Sequence, residues 1–348
     1  MRRNRYFTLR KKKKEQDYYE VNKKQHILPY DRIYSNNGYF EKNGIYSVMF
    51  ELGQSETNEG DMISELRRSE FDFRIFNRNE KRYLMIYETC SGYKIFDESV
   101  QTAMERIRTA GEICRILTAN ERIRFLHEGY LIFQTRKSLN ISDYLNNMAE
   151  CAADFQDRKE DMKLQIKEEN GCYALIGIHS FPDNHEQMEK CVTRLVKEPA
   201  TCSSVRIFET VKDEIVRNKI NELYMGIEGV LVRMKRTDRK FYDWYDLLEA
   251  TEAEETGRYT FCGCLSCICG KDEEAADKII EKLQKDIKES GGRLAIYAAG
   301  KKKVLEQILG IGTEEGFTRI TLTEEIGGMQ AGTIEKSSNV PVLKKNII

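Results

Sequence analysis

The clearest hydrophobic periodicities lie in the second half of the chain. Residues 172–181 are a near-continuous apolar run, the pattern of a strand buried on both faces. Asn184 then opens a segment in which Met188, Val192 and Leu195 recur at helical spacing, and Gln187, three residues on, completes a capping box. Pro199 stops that helix, residues 203–210 predict a second strand, and another helix begins near Lys212. The order strand, helix, strand, helix recurs at 258–270, 272–289, 292–299 and 301–309. Asp272, Glu273 and Glu274 place acid at a helix start, Ala276, Ile279, Leu283 and Ile287 form its buried stripe, and Gly291 and Gly292 close it. Two such units pair into one sheet with helices on one face. Strands near 173–180 and 259–268 should therefore touch.

The first half is patterned differently. In ILPYDRIYSNNGYFEKNGIYSVMFEL, which begins at residue 27, Pro29 ends any preceding helix. Asn36-Asn37-Gly38 and Lys42-Asn43-Gly44 supply turn residues between short runs rich in Tyr, Ile, Val and Phe, the signature of a meander or hairpin. Residues 97–117 predict a helix, with Val100, Met104, Ile107, Cys114 and Leu117 on one face, and a shorter helix spans about 120–133. The polar stretch 156–170 reads as a solvated helix or linker. Residues 236–257, acidic and carrying the single Trp244, are expected to be helix ending in a loop.

The expected class is α+β: ferredoxin-like two-layer sandwiches built from βαβ units, with an N-terminal β-rich module and a disordered basic leader. The expected division is a leader at 1–26, an α+β module at 27–135, a polar helical linker at 136–170, a ferredoxin-like module at 171–312 and a tail at 313–348. A length of 348 residues is in keeping with more than one module.

No run of about 18 apolar residues exists, and the basic start lacks the apolar core of a signal peptide. Ten cysteines without an export signal point to a reducing compartment and free thiols. Net charge is −1, yet positions 1–25 hold ten Lys and Arg against three acidic residues, about +7, leaving about −8 elsewhere. The candidate contacts for an anionic membrane surface or nucleic acid are Arg2, Arg3, Arg5, Arg10, Lys11, Lys12, Lys13 and Lys14, with Tyr6, Phe7, Tyr18 and Tyr19 interleaved. A merely solubilising leader carries the same composition.

Cys262, Cys264, Cys267 and Cys269 suggest a thiolate metal site. They fall within eight residues of one predicted strand, however, where Cys262 and Cys264 share one face and Cys267 and Cys269 the other, so packing is the expected role. His26, His127, His179 and His185 are scattered; His179 and His185 flank Pro182-Asp183, but no nucleophile elbow stands nearby. The acidic pairs Glu273-Glu274 and Glu314-Glu315 fit helix starts and solvated turns. No catalytic residue, cofactor or metal site is assigned.

The opening segment and those after it, taken in order, resemble a family. After the Pro-Tyr entry, the Gly turn and the YSVMFEL strand come RYLMIYE (82–88), ESVQTAMERIRTAGEICRIL (98–117) and ERIRFLHEGYL (121–131). A strand from Tyr173 toward Pro182 with a helix after it follows, then a strand, helix, strand and turn from Arg258 to about Gly312. This order is similar to the region preceding the motor in the conjugative-transfer ATPases of type IV secretion, the VirB/TraC/TraE family in its Gram-positive form, over roughly residues 20–325. A motor of that kind needs G-x-x-x-x-G-K-[ST]. The nearest string, Gly327-Gly328-Met329-Gln330-Ala331-Gly332-Thr333, has Thr333 where lysine must stand, and Lys336 comes too late.

The resemblance implies a non-motor, non-catalytic component of a conjugative DNA-transfer apparatus, standing alone as a truncated or split member and neither binding nor hydrolysing ATP. Its expected partners are channel or ATPase subunits, with homo-oligomers also compatible. Its expected place is the cytoplasm, peripheral to the inner face of the cell membrane. The alternative is a nucleic-acid-binding accessory protein of a mobile element acting on DNA through residues 1–25.

Overall fold

The computed structural model describes residues 18–20, 30–34, 36–53, 59–131, 164–165, 172–182, 184–210, 259–297, 301–310 and 319–331. The predicted helix near Lys212 and the segment 236–257 with Trp244 lie outside them. Helices and antiparallel strands share one body, an α+β protein built on a single 13-stranded sheet.

The first half runs β1 (Tyr18–Glu20), β2 (Arg32–Tyr34), β3 (Phe40–Lys42), β4 (Ile45–Leu52), α1 (Glu59–Arg68), β5 (Asp72–Arg78), β6 (Lys81–Thr89), α2 (Tyr93–Thr109), β7 (Cys114–Ile116) and α3 (Ala119–Leu131). The second runs β8 (Leu164–Gln165), β9 (Cys172–Ser180), α4 (His185–Val196), β10 (Thr201–Thr210), β11 (Tyr259–Gly270), α5 (Glu273–Glu289), β12 (Arg293–Ile296), α6 (Lys301–Leu309) and β13 (Arg319–Leu322), ending in a 3-10 helix at Thr323–Met329.

Local chemistry explains the hairpins. Asn43 and Gly44 both take positive φ, 52° and 78°, in a two-residue loop that sets Lys42 opposite Ile45. That is the primed turn whose twist matches the flanking strands, and Asn-Gly is its preferred pair. In β4, Tyr46, Val48, Phe50 and Leu52 alternate toward one face while Met49 faces the other.

The two halves share one connectivity. Among the described residues, β4 through β7 and again β9 through β12 run strand, helix, strand, strand, helix, strand. In each half the spatial order is fourth, first, third, second, so the sheet reads β7-β4-β6-β5 and then β10-β11-β9-β12. Every pairing is antiparallel, and β5 joins β10 from Phe73↔Phe208 to Arg78↔Ser203. The expected contact between β9 and β11 is present, from Leu265↔Gly177 to Gly270↔Cys172.

One core lies between one sheet face and α1, α2, α4 and α5; α2 contributes Phe96, Val100, Ala103 and Ile107, and α5 contributes Ile280, Leu283 and Ile287. A second core covers the opposite face, where α3 brings Ile123, Phe125 and Leu126, and α6 brings Val304, Leu305, Ile308 and Leu309. Helices on one face alone was therefore too simple an expectation.

Three further expectations are corrected. The predicted helix 97–117 stops at Thr109, because Gly111 at φ 81° turns the chain and residues 114–116 pair with β4 as β7. Tyr18–Glu20, inside the stretch expected as disordered leader, forms an edge strand on β2. Residues 319–331, expected as tail, add β13 to β11 and insert Ile326, Met329 and Ala331 into the core.

Candidate functional site

Helix α1 lies along the seam between the halves, and both of its ends are pinned by buried charge. Its first residue, Glu59, is 1% exposed. Glu59 Oε2 accepts hydrogen bonds from Arg206 Nη1 at 2.6 Å and the Ala331 amide at 2.8 Å, while Oε1 accepts from Arg206 Nη2 at 2.9 Å and Arg82 Nη1 at 3.4 Å. Arg82 in turn donates to both oxygens of buried Glu112, at 3.0 and 3.2 Å, and to the Gly53 carbonyl at 2.7 Å. Arg206 also donates to the Met329 carbonyl at 3.0 Å and to Asn77 Oδ1 at 2.9 Å.

The network contains two guanidinium and two carboxylate groups. Burial alone would raise the Glu59 pKa, but Arg206, its hydrogen bonds, the Ala331 amide and Arg82 outweigh that and hold the carboxyl below its usual value. A helix N-terminus also favours an anion there. Each Glu59 oxygen already accepts two bonds, which suits a fastening better than a base that must take up a proton.

At the other end of α1, Arg67 donates to the Phe71 carbonyl at 2.6 Å, to Thr260 and Thr210 hydroxyls at 3.2 Å and to Asp72 at 3.3 Å. Thr210 and Thr260 belong to the second half and Asp72 to the first. Arg74, wholly buried, bonds Glu209 across the same β5–β10 seam at 3.3 Å, and the Tyr87 hydroxyl donates to the same carboxylate at 2.7 Å. Arg74, Glu209 and Tyr87 stand on the sheet face away from α1, and on that face Arg122 of α3 donates to the Ser47 carbonyl and hydroxyl, both at 2.6 Å, and lies 4.1 Å over the Phe40 ring. Burial lowers its pKa to about 10.

The glycine-bearing segment sits across this seam. A Cβ on Gly327 would stand 3.0 Å from His185 Nε2, and one on Gly328 only 2.7 Å from the His185 carbonyl oxygen, so both glycines permit a close approach to α4. Gln330 Oε1 accepts the Gly60 amide of α1 at 3.2 Å. The segment thus touches one helix from each half. As a phosphate cradle it is poorly formed: the Ala331 amide is given to Glu59, the Gln330 amide bonds the Gly327 carbonyl, Met329 is fully buried, and a carboxylate stands where an anion would bind. Gly332, Thr333 and Lys336 lie outside the described residues.

Other sequence candidates fall as follows. Arg2, Arg3, Arg5, Arg10 and Lys11 to Lys14 lie outside the described residues, as do His26, Asp183, Glu314 and Glu315. Cys262 and Cys264 belong to one core while Cys267 and Cys269 pack in the other, as strand alternation requires. Among the described residues no group of three or more His, Cys, Asp or Glu is placed to hold a metal ion. His179 and His185 are exposed. Sequence reasoning missed Glu59, Arg82, Glu112 and Arg206. The available signal was an arginine in a strand apolar on both faces, two residues before Phe208 and flanked by Val205 and Ile207.

No protein-family model and no curated protein matches this chain.

Proposed function

We propose that this chain is a non-catalytic assembly component of a type IV conjugative DNA-transfer apparatus, related to the non-motor region of its ATPase and acting through protein–protein contacts at the cytoplasmic face of the membrane. The observation that carries the reading is the order and spacing of its segments from the Pro-Tyr entry onward. We take each half to be a ferredoxin-like sandwich, a reading supported by the strand order fourth, first, third, second that both display. Further support comes from the segment 327–331, whose amides and glycines are engaged in holding α1 and α4. A chain without turnover acts by differential binding to its partners.

Among the described residues no helix is long and apolar enough to cross a membrane. In this reading, attachment falls to the basic residues Arg2 to Lys14, at roughly 1 kcal/mol per basic residue near an anionic surface. Such attachment weakens as the Debye length shrinks from about 10 Å at 0.1 M salt toward about 3 Å at 1 M. The test is co-sedimentation with phosphatidylserine-containing vesicles against a competing DNA duplex, comparing the full chain with one lacking residues 1–14, so that β1 is kept. Salt-sensitive vesicle binding lost with the leader is expected. Tight DNA retention with no vesicle binding would favour the alternative, a DNA-binding accessory protein of a mobile element.

A further inference from the structure

The second core carries a thiol cluster that the assembly reading does not use. Strand β10 is interrupted between Thr201, opposite Ile268, and Ser203, opposite Cys267, so Cys202 is an extra residue set against β11. A bulge of this kind re-aims a side chain. It turns Cys202 to the same face as Cys267 and Cys269. Its thiol donates a hydrogen bond to the Cys267 carbonyl oxygen at 3.1 Å, and Tyr173 packs in the same cluster. Cys202 stays half-buried whereas Cys267 is 1% exposed.

The two thiols are chemically unequal. A hydrogen bond from the Cys267 thiol lowers the Cys202 pKa against the opposing effect of burial, with Arg78 and the amides of Cys202 and Ser203 adding to it. The Cys267 thiol moves the other way, raised by that same bond to Cys202 and by burial. Burial raises two other half-buried thiols, Cys90 to about 11 and Cys114 above its ordinary value. A more accessible thiol that ionises more readily, beside a shielded partner that ionises less readily, is the ordering of an attacking and a resolving cysteine.

We propose that Cys202 and Cys267 form a peroxide-sensitive dithiol that closes to a disulfide between β10 and β11. The Cys202 thiolate attacks one oxygen of hydrogen peroxide; the O–O bond breaks, Cys202 becomes a sulfenic acid, and the departing hydroxide takes a proton to become water. The Cys267 sulfur then attacks the sulfenic sulfur, the S–O bond breaks, and the hydroxyl leaves with the Cys267 proton as a second water. Two thiols lose two electrons in all and the peroxide gains them. A thiol reductant reverses the bond by exchange. The linked residues are 65 positions apart, so the bond would close a loop containing the whole 211–258 segment. This assignment is independent of the conjugation reading.

The test is peptide mapping of the full chain after brief hydrogen peroxide treatment and alkylation of remaining thiols. The expected product is a Cys202–Cys267 linked peptide, two hydrogens lighter than its parts, formed in about tenfold excess over any other pair. It should vanish on reduction with dithiothreitol. The link should be absent in Cys202→Ser and undiminished in Cys269→Ser, and the reversible cycle on the unsubstituted chain keeps the test meaningful if a variant fails to fold. A Cys202–Cys269 link, oxidation of Cys90 or Cys114 ahead of Cys202, or accumulation of Cys202 sulfinic acid without a link would each overturn the proposal.

Discussion

Replacing Glu59 by alanine is expected to destabilise the folded chain by about 3–5 kcal/mol, the range found when one partner of a buried ion pair is removed. The mutation strips Arg206 of its carboxylate and the Ala331 amide of its acceptor in a place closed to water. It also removes the link by which α1 holds both β10 of the second half and the segment after the 3-10 helix. For a body of this size the Tm should fall by roughly 6–20 °C. The exposed Glu274–Lys278 pair is the control, since Glu274→Ala should hardly move Tm. Acid adds a second signature. Because the Glu59 pKa is lowered on folding, its contribution is present above the unfolded carboxylate value of about 4.3 and is lost as pH falls through the folded one. Urea midpoints should hold from pH 7 to about 5 and drop below that, and the drop should be smaller in Glu59→Gln.

Phe208→Ala is expected to cost a similar amount, about 3–5 kcal/mol, through lost burial and the cavity left behind. Phe208 and Phe73 are directly opposed across the β5–β10 seam, with ring centroids 4.5 Å apart and planes within 18° of parallel, and both are fully buried. One comes from each half, so the substitution asks whether the halves melt together. The shared sheet and first core predict one calorimetric transition that moves down whole. Two transitions, of which only one moves, would mean that the halves are separate folding units.

The sequence carried the second half well because its signals were local and mutually consistent. Asn184 accepts the amides of Glu186 and Gln187, and Asp272 accepts that of Ala275, as their positions before apolar-periodic helices suggested. The first half was harder where local and tertiary signals disagreed. Residues 113–117 continue an apolar rhythm that reads as helix, yet the open edge of β4 takes 114–116 as a strand once Gly111 has ended α2. Helix α1 was missed because its buried residues, Met62, Ile63 and Leu66, stand among charged and polar neighbours. The buried network was not legible at all as a network, since Glu59 and Arg206 lie 147 positions apart and only the β5–β10 pairing brings them together. The equivalence of the two halves was hidden for a related reason: it resides in strand order, while their sequences share no repeated motif.

The measurement that bears most directly on the central claim is a pull-down of conjugation proteins from the host membrane by purified chain lacking residues 1–14, at 0.5 M salt, where the Debye length is about 4 Å and leader electrostatics are suppressed. The account predicts that channel or transfer-ATPase subunits are recovered as well as by the full chain, because the folded body carries the contact. Recovery of no such subunit by either form, with DNA retained by the full chain alone, would contradict it.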